Sequence, residues 1–392
     1  MENKVKAAIV GLGNMGSAHA SCIFAGKIKG LELFCVCDID EKKRLWAEEK
    51  LPGVPVFEDF YEMLEKGGFD LLIIAVPHPL HPVFAVAAFE KGYNVLTEKP
   101  AGIDVKSVRL MNEAAKKSGK LFGIMYNQRT NPLFKKAREL VKGGALGELK
   151  RFSWTITNWY RSQSYYDSGS WRATWTGEGG GVMMNQCPHN LDIWQWITGL
   201  PEKVRGFCRE ARYHDIEVED DVTVYAEYPN GASATFIATT GEYPGTNRME
   251  IAGDKGKLVI ENGEMKLWLL DQPEREFCFT TPEGFPHIPL HEKTLLPEEE
   301  ETAHAGILQN VTNALLFGEA LIAPGEEGIR GLSITNAAYL SAWKDKWVSL
   351  PVDEEEYLAA LREKQKNSKL RVDQKEESGM KGRYSERWSV KW

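Results

Sequence analysis

The chain has 392 residues, 43% of them hydrophobic and 27% charged, with 48 basic side chains against 56 acidic and a formal net charge of -8. That length exceeds one ordinary core and predicts two globular domains, and an acidic balance with basic residues clustered only near the C-terminus excludes nucleic acid as an expected partner. Residues 1–6 run straight into a strand pattern and no apolar run reaches membrane-spanning length, so neither export nor a membrane partner is expected. The six cysteines, Cys22, Cys35, Cys37, Cys187, Cys208 and Cys278, show no Cys-x-x-Cys spacing and read as reduced residues of a cytoplasmic protein.

Residues 6–10 read as a buried strand and 17–28 as a helix, with Gly11-Leu12-Gly13-Asn14-Met15-Gly16 between them. Gly11 suits a tight turn, Gly13 lets a pyrophosphate approach the backbone, and Gly16 lets the helix pack closely on the strand. The helix N-terminus then offers unpaired N–H groups to the phosphates. About twenty residues on, where the motif places its ribose-binding acid, a second apolar run ends in Asp38. A carboxylate there accepts ribose hydroxyls and repels a 2′-phosphate. NAD is therefore the expected cofactor, with NADP kept as the second choice because Lys42, Lys43 and Arg44 stand nearby.

Helices are expected over 40–50 and 59–66, then a continuous apolar strand over 70–76 stopped by Pro77, the kind buried on both faces of a parallel sheet. A helix over 81–91, a strand over 93–97, a helix over 104–118 and a strand over 121–125 complete a doubly wound α/β domain over 1–127. The rhythm then changes. A helix over 132–142 precedes alternating stretches over 150–160, 203–213, 222–228, 232–239, 248–252, 257–260, 266–270 and 276–280, joined by Gly and Pro turns. They predict an α+β domain over 128–352, built on a large, open, mostly antiparallel sheet, with helices over 187–197 and 300–317. No element is assigned over 318–352. The uncovered sheet face predicts a homodimer or homotetramer. Residues 353–392 read as a charged helix followed by a basic, flexible tail, with docking of its two tryptophans on a neighbouring subunit as the alternative.

Two stretches carry candidate chemistry. Glu98-Lys99-Pro100 ends the strand over 93–97, where ligands of open α/β sheets bind, and a desolvated Lys99 there donates to a substrate hydroxyl with a lowered pKa. The second runs from Glu178 through Gly179-Gly180-Gly181 to Asn185, His189 and Asp192. Their spacing of four and three puts these last three side chains on one helical face, a proton-transfer constellation. Metal-ligand spacing is not found.

With Gly11–Gly16, Ala75-Val76-Pro77-His78-Pro79-Leu80-His81, Tyr126-Asn127-Gln128-Arg129 and Trp171-Arg172, these stretches resemble the glucose-fructose oxidoreductase, inositol dehydrogenase and MocA family over roughly residues 5–350. The resemblance implies that Lys99 and His189 lie beside the nicotinamide, polarising and deprotonating a sugar hydroxyl. Asn185 stands where the family often has an aspartate, so it orients the hydroxyl and His189 is the general base. By the same resemblance Pro77, His81, Glu98, Asn127, Trp171 and Arg172 line the cofactor end. Arg129 lines the sugar pocket, with a structural ion pair as its alternative, and Tyr160 belongs to an aromatic wall that suits a pyranose or aglycone. The implied activity is NAD-dependent oxidation of a secondary hydroxyl of a sugar, cyclitol or glycoside, with glycoside C3 favoured by the aromatic wall. The alternatives are redox-neutral glycoside cleavage on tightly held NAD, and a sensor without catalysis.

Overall fold

The computed structural model describes residues 4–370. Six strands, β1 (Val5–Val10), β2 (Leu31–Cys37), β3 (Val56–Phe57), β4 (Leu71–Ile74), β5 (Asn94–Thr97) and β6 (Phe122–Ile124), form a parallel sheet in the order β3-β2-β1-β4-β5-β6. The order reverses direction between β1 and β4, the crevice in which doubly wound sheets bind ligands. Helix starts follow the residues that cap them. Asp40, Asp59 and Asp104 each accept a backbone N–H from the first turn of the helices Glu41–Lys50, Phe60–Lys66 and Val105–Ser118. Of this sheet's strands β3, too short for a periodic signal, is the one the sequence reading omits.

The second sheet has nine strands: β7 (Leu149–Ile156), β8 (Lys203–Glu210), β9 (Glu219–Glu227), β10 (Ser233–Thr239), β11 (Asn247–Gly253), β12 (Gly256–Glu261), β13 (Glu264–Leu270), β14 (Leu290–Leu295) and β15 (Val348–Ser349). Their order is β14-β13-β12-β11-β7-β10-β9-β8-β15, antiparallel throughout except for β7 on β10. Alternation sorts the two faces. Phe152, Trp154, Val224 and Phe236 turn inward under helices, while Phe207, Thr223, Ile237 and Thr155 lie side by side on the other face.

Three expectations change here. Residues 276–280 belong to a helix, Glu274–Thr280, because Pro273 presets its first turn and Glu274 and Glu276 favour a helix N-terminus. The strand over 150–160 ends at Ile156. The span left unassigned holds the helix Gly328–Lys344, whose apolar residues have no exposed stripe because it is buried nearly all round. It lies so close to β8 that a Cβ on Gly206 would meet the Ala338 carbonyl at 2.3 Å. Its Asn336 also accepts the Val105 N–H at 3.0 Å and donates to the Ile103 carbonyl at 3.1 Å, clamping the two sheets' layers together. The tail tryptophans lie outside the described residues.

Candidate active site

A continuous cleft of about 460 Å³ runs from the glycine turn to the second sheet's loops. At one end are Gly11, Gly13, Asn14, Met15 and Asp38. The helix Asn14–Phe24 starts without any side-chain cap, so its first N–H groups remain for a ligand. A Cβ at Gly13 would meet nothing within 4 Å, open space through which a pyrophosphate can reach the backbone, whereas one at Gly16 would strike the Gly11 carbonyl at 1.8 Å. Gly16 therefore serves the turn's packing and does not line the cleft. Asp38 is buried and ties the turn down, accepting the Leu12 N–H at 2.6 Å on one oxygen and the Asp40 N–H at 2.9 Å on the other. Each oxygen keeps a lone pair for a ribose hydroxyl. Lys43 approaches to 3.6 Å. These groups fit a dinucleotide carrying a free 2′-hydroxyl.

The middle of the cleft holds Pro77, His78, His81, Glu98, Lys99, Asn185, His189 and His304. Lys99 leaves the end of β5 and donates to the Asn185 carbonyl at 2.8 Å. Burial lowers its pKa from 10.5, with Glu98 and Glu178 pulling the other way. Burial, then the Lys99 charge, holds His189 well below 6.5, so its imidazole is neutral, and its buried Nδ1 takes no hydrogen bond among the described residues. Burial likewise opposes ionisation of Glu98, yet the 2.6 Å contact with His19 prevails and keeps the carboxyl at about 2.

The Asn185–His189–Asp192 face does not form. A helix Val182–Asn185 stops, and a new one, Pro188–Thr198, begins at Pro188, whose ring disfavours helical backbone at Cys187. Asn185 and His189 still meet in the cleft, but Asp192 turns away and is fully buried against Arg129. Arg129 was expected in the sugar pocket. It is 1% exposed and clamps Asp192 through Nε (2.7 Å) and Nη2 (2.6 Å) and Glu327 through Nη1 (2.5 Å), and it does not line the cleft. Tyr160, 49% exposed with its ring against Tyr243, also misses the cleft. After β7 the side chains alternate, so its neighbours Trp159 and Arg161 point inward instead. Asn127 sits behind the wall, its amide 3.5 Å from His304 Nδ1.

The far end is walled by Trp159, Arg161, Tyr165, Trp171, Arg172 and Gln186. Glu178, buried, holds this wall to the turn at Asn185 by accepting from the Ala173 N–H (2.6 Å) and the Asn185 amide; burial raises its pKa, against the pull of Arg172. Glu219 secures the same turn, accepting the Gly181 and Met183 N–H groups, and a Cβ on Gly181 would meet the Glu219 carbonyl at 1.9 Å. Tyr165, Gln186 and His304 carried no motif. The available signals lay in the backbone: Ala173 and Ala303, beside Arg172 and His304, adopt φ of 53° and 46°, strained values for alanine that the surrounding contacts impose.

Residues 5–126 match the model of an oxidoreductase family with an NAD-binding Rossmann fold, and residues 134–259 match the GFO/IDH/MocA C-terminal domain. The NAD-dependent scyllo-inositol 2-dehydrogenase of Bacillus subtilis is 26% identical over 268 residues, 66% of this chain and 75% of that one. Levoglucosan dehydrogenase of Pseudarthrobacter phenanthrenivorans is 23% identical over 75% of this chain and 83% of its own. Among solved structures, the WlbA dehydrogenase of Chromobacterium violaceum, in complex with NADH and UDP-GlcNAcA, superposes with a TM-score of 0.76 at 28% identity, covering 90% of this chain and 98% of that one. The glycine turn, the two sheets and the cleft between them are thus those of the glucose-fructose oxidoreductase, inositol dehydrogenase and MocA family of NAD-binding oxidoreductases, to which this chain belongs.

Proposed function

We propose that the protein oxidises a secondary hydroxyl of a sugar, cyclitol or glycoside, with Lys99, Asn185 and His189 as the residues that act on it. The observation that carries the reading is the meeting of Lys99 and neutral His189 midway along a cleft whose other end is the glycine turn and Asp38. When bound, NAD supplies the hydride acceptor. The Lys99 ammonium donates to the hydroxyl oxygen and favours its developing negative charge. His189 takes the hydroxyl proton, which its lowered pKa leaves it free to accept at neutral pH. Asn185, its amide nitrogen committed to Glu178, turns its carbonyl oxygen to orient the same hydroxyl. Relatives named as dehydrogenases favour net oxidation over redox-neutral cleavage. The aromatic wall suits the apolar face of a pyranose ring, and oxidation at C3 of a glycoside is retained within this reading.

The test is growth of the reduced-nicotinamide absorbance band with added NAD across a panel of cyclitols, aldoses and aryl glycosides. Aglycone release without that band would overturn it. We also assign a homodimer or homotetramer assembled through the uncovered sheet face, supported by Phe207 and Ile237 on that face, 49% and 37% exposed. Sedimentation of Phe207→Glu as a monomer would bear this out. No described helix is long and apolar enough to cross a membrane, and the buried thiols of Cys22, Cys35, Cys37 and Cys187 suit the reducing cytoplasm to which we assign the protein.

A further inference from the structure

The part of the cleft wall that follows β7 is carried by two side chains outside the cleft. Trp159 and Arg161 line the cleft, whereas His214 and Asp220 do not. The His214 side chain is 7% exposed and that of Asp220 fully buried. His214 belongs to the connection between β8 and β9, and Asp220 to β9 itself. The imidazole spans two segments: Nε2 donates to the Arg161 carbonyl at 2.8 Å, and Nδ1 meets Asp220 Oδ2 at 2.9 Å. A carbonyl has no proton to give, so Nε2 is the donor in the first contact, and the carboxylate fixes the ring's orientation for it. Asp220 is itself held by the backbone N–H groups of Arg212 (3.0 Å), Tyr213 (2.8 Å) and His214 (3.0 Å), which fold the connection around it. Arg161 is tied on its other side too. Its N–H donates to the Thr240 carbonyl at 2.9 Å, and the Thr240 N–H donates to the Asp220 carbonyl at 3.0 Å. The Tyr166 ring packs 4.9 Å from that of His214, its hydroxyl 2.7 Å from Thr240 Oγ1. A half-buried link repeats the first one: Gln163 accepts the Asp215 N–H at 2.9 Å and donates to the Asp215 carbonyl at 3.2 Å. Residues 157–162 belong to no helix or strand, so contacts of this kind set where they lie.

We propose that His214, oriented by Asp220, is a positioning residue for substrate binding: by holding the Arg161 carbonyl it keeps Trp159 and Arg161 at the cleft wall. This role rests on the dehydrogenase reading of the cleft. A lost tether lets both side chains leave the wall together, because no ladder of backbone hydrogen bonds holds 157–162 in their place. Lys99, Asn185 and His189 stand on other elements, so the chemical step is left as it was. What His214 governs is affinity for substrate.

The full-length protein is prepared as His214→Gln, His214→Asn and Gln163→Ala. The glutamine side chain brings an N–H to the place of Nε2, whereas asparagine reaches only the place of Nδ1 and so keeps Asp220 without Arg161. The assay uses NAD and whichever cyclitol, aldose or aryl glycoside the parent oxidises fastest. His214→Asn should raise KM about 10-fold, the worth of a buried hydrogen bond, with kcat changed less than threefold. His214→Gln should recover most of that loss, and Gln163→Ala, a half-buried change that spares the fold, should raise KM about threefold. NADH affinity by fluorescence titration should be retained in every variant, since the glycine turn lies at the opposite end of the cleft. Hydrogen–deuterium exchange of the NADH complex, read by mass spectrometry, should be about 10-fold faster over 157–162 in His214→Asn than in the parent or in His214→Gln, and unchanged over β5. Glutamine and asparagine variants impaired alike, or a fall in kcat at constant KM, would overturn the proposal. So would a lowered Tm in His214→Asn with exchange over 157–162 as in the parent. Should His214→Asn not fold, Gln163→Ala decides: KM and exchange both raised sustain the proposal, and either one unchanged overturns it. If no compound reduces NAD, the dehydrogenase reading falls and exchange decides alone. Selective loosening of 157–162 then sustains the tether, and its absence overturns it.

Discussion

Replacing Asp192 by Asn separates a structural role from a catalytic one. Asp192 is fully buried and receives two short hydrogen bonds from Arg129, which in turn reaches Glu327 and so ties the turn Asn127–Thr130 to the helix Pro188–Thr198 and the turn Gly325–Glu327. The asparagine leaves a buried guanidinium short of one counter-charge, and removing one partner of such a pair costs about 3–5 kcal/mol. For 392 residues the unfolding entropy is about 0.8 kcal/mol/K, so Tm should fall by about 4–6 °C. Thermal unfolding followed by intrinsic fluorescence reads the shift, and kcat/KM per NADH-binding site reads chemistry. That second quantity should change less than threefold, because both carboxylate oxygens of Asp192 are taken by Arg129. An unchanged Tm with kcat/KM lowered a hundredfold would refute the argument and restore Asp192 to a proton relay. The double variant Arg129→Met with Asp192→Leu should recover part of the lost stability, since it leaves fewer uncompensated charges than either single change.

His189→Ala and Lys99→Met should each lower kcat by about 10²–10⁴-fold with NADH binding retained. In the parent protein the rate should fall on the acid side below pH 6.5, where His189 gains its proton, and on the alkaline side below 10.5, where the depressed Lys99 loses its own; the alanine variant should lack the acid limb. Asp38→Ala removes the acceptor for Leu12 and Asp40, so NAD affinity should drop about 10- to 100-fold, and Lys43 becomes available to a 2′-phosphate, narrowing the NAD/NADP preference in parallel titrations. Burial raises Glu219 from 4.5 to about 7 despite hydrogen bonds from Tyr339, Met183 and Gly181. The folded chain then holds this proton more tightly than the unfolded chain. The stability it contributes is full below pH 4.5 and disappears as pH rises through about 7. Glu219→Gln should flatten that part of the Tm–pH curve; an unaltered slope would count against it.

What the sequence by itself determined is what short-range physics controls. Unbroken apolar runs marked β1, β2 and β4, alternation marked β7 to β13, aspartates marked three helix starts, and glycine spacing marked the phosphate turn, because each depends on residues within one or two turns of chain. Lys99 was legible for the same reason, standing at a strand end in a crevice that the winding of the sheet prescribes. The tertiary structure decided which polar groups face each other. Arg129 and Asp192 are 63 residues apart, and no local pattern states that they neutralise each other. Pro188 breaks the helix between Asn185 and His189, which reach the cleft from separate helices, while Asp192, one turn beyond His189, is committed to the buried Arg129. The helix Gly328–Lys344 was illegible because a helix buried nearly all round lacks the broad polar face that would give it a period. Tyr165 and His304 reach the cleft on loops and helix ends whose placement follows from packing between the two layers, and packing is settled by shape and volume over the whole core, beyond the reach of any local window.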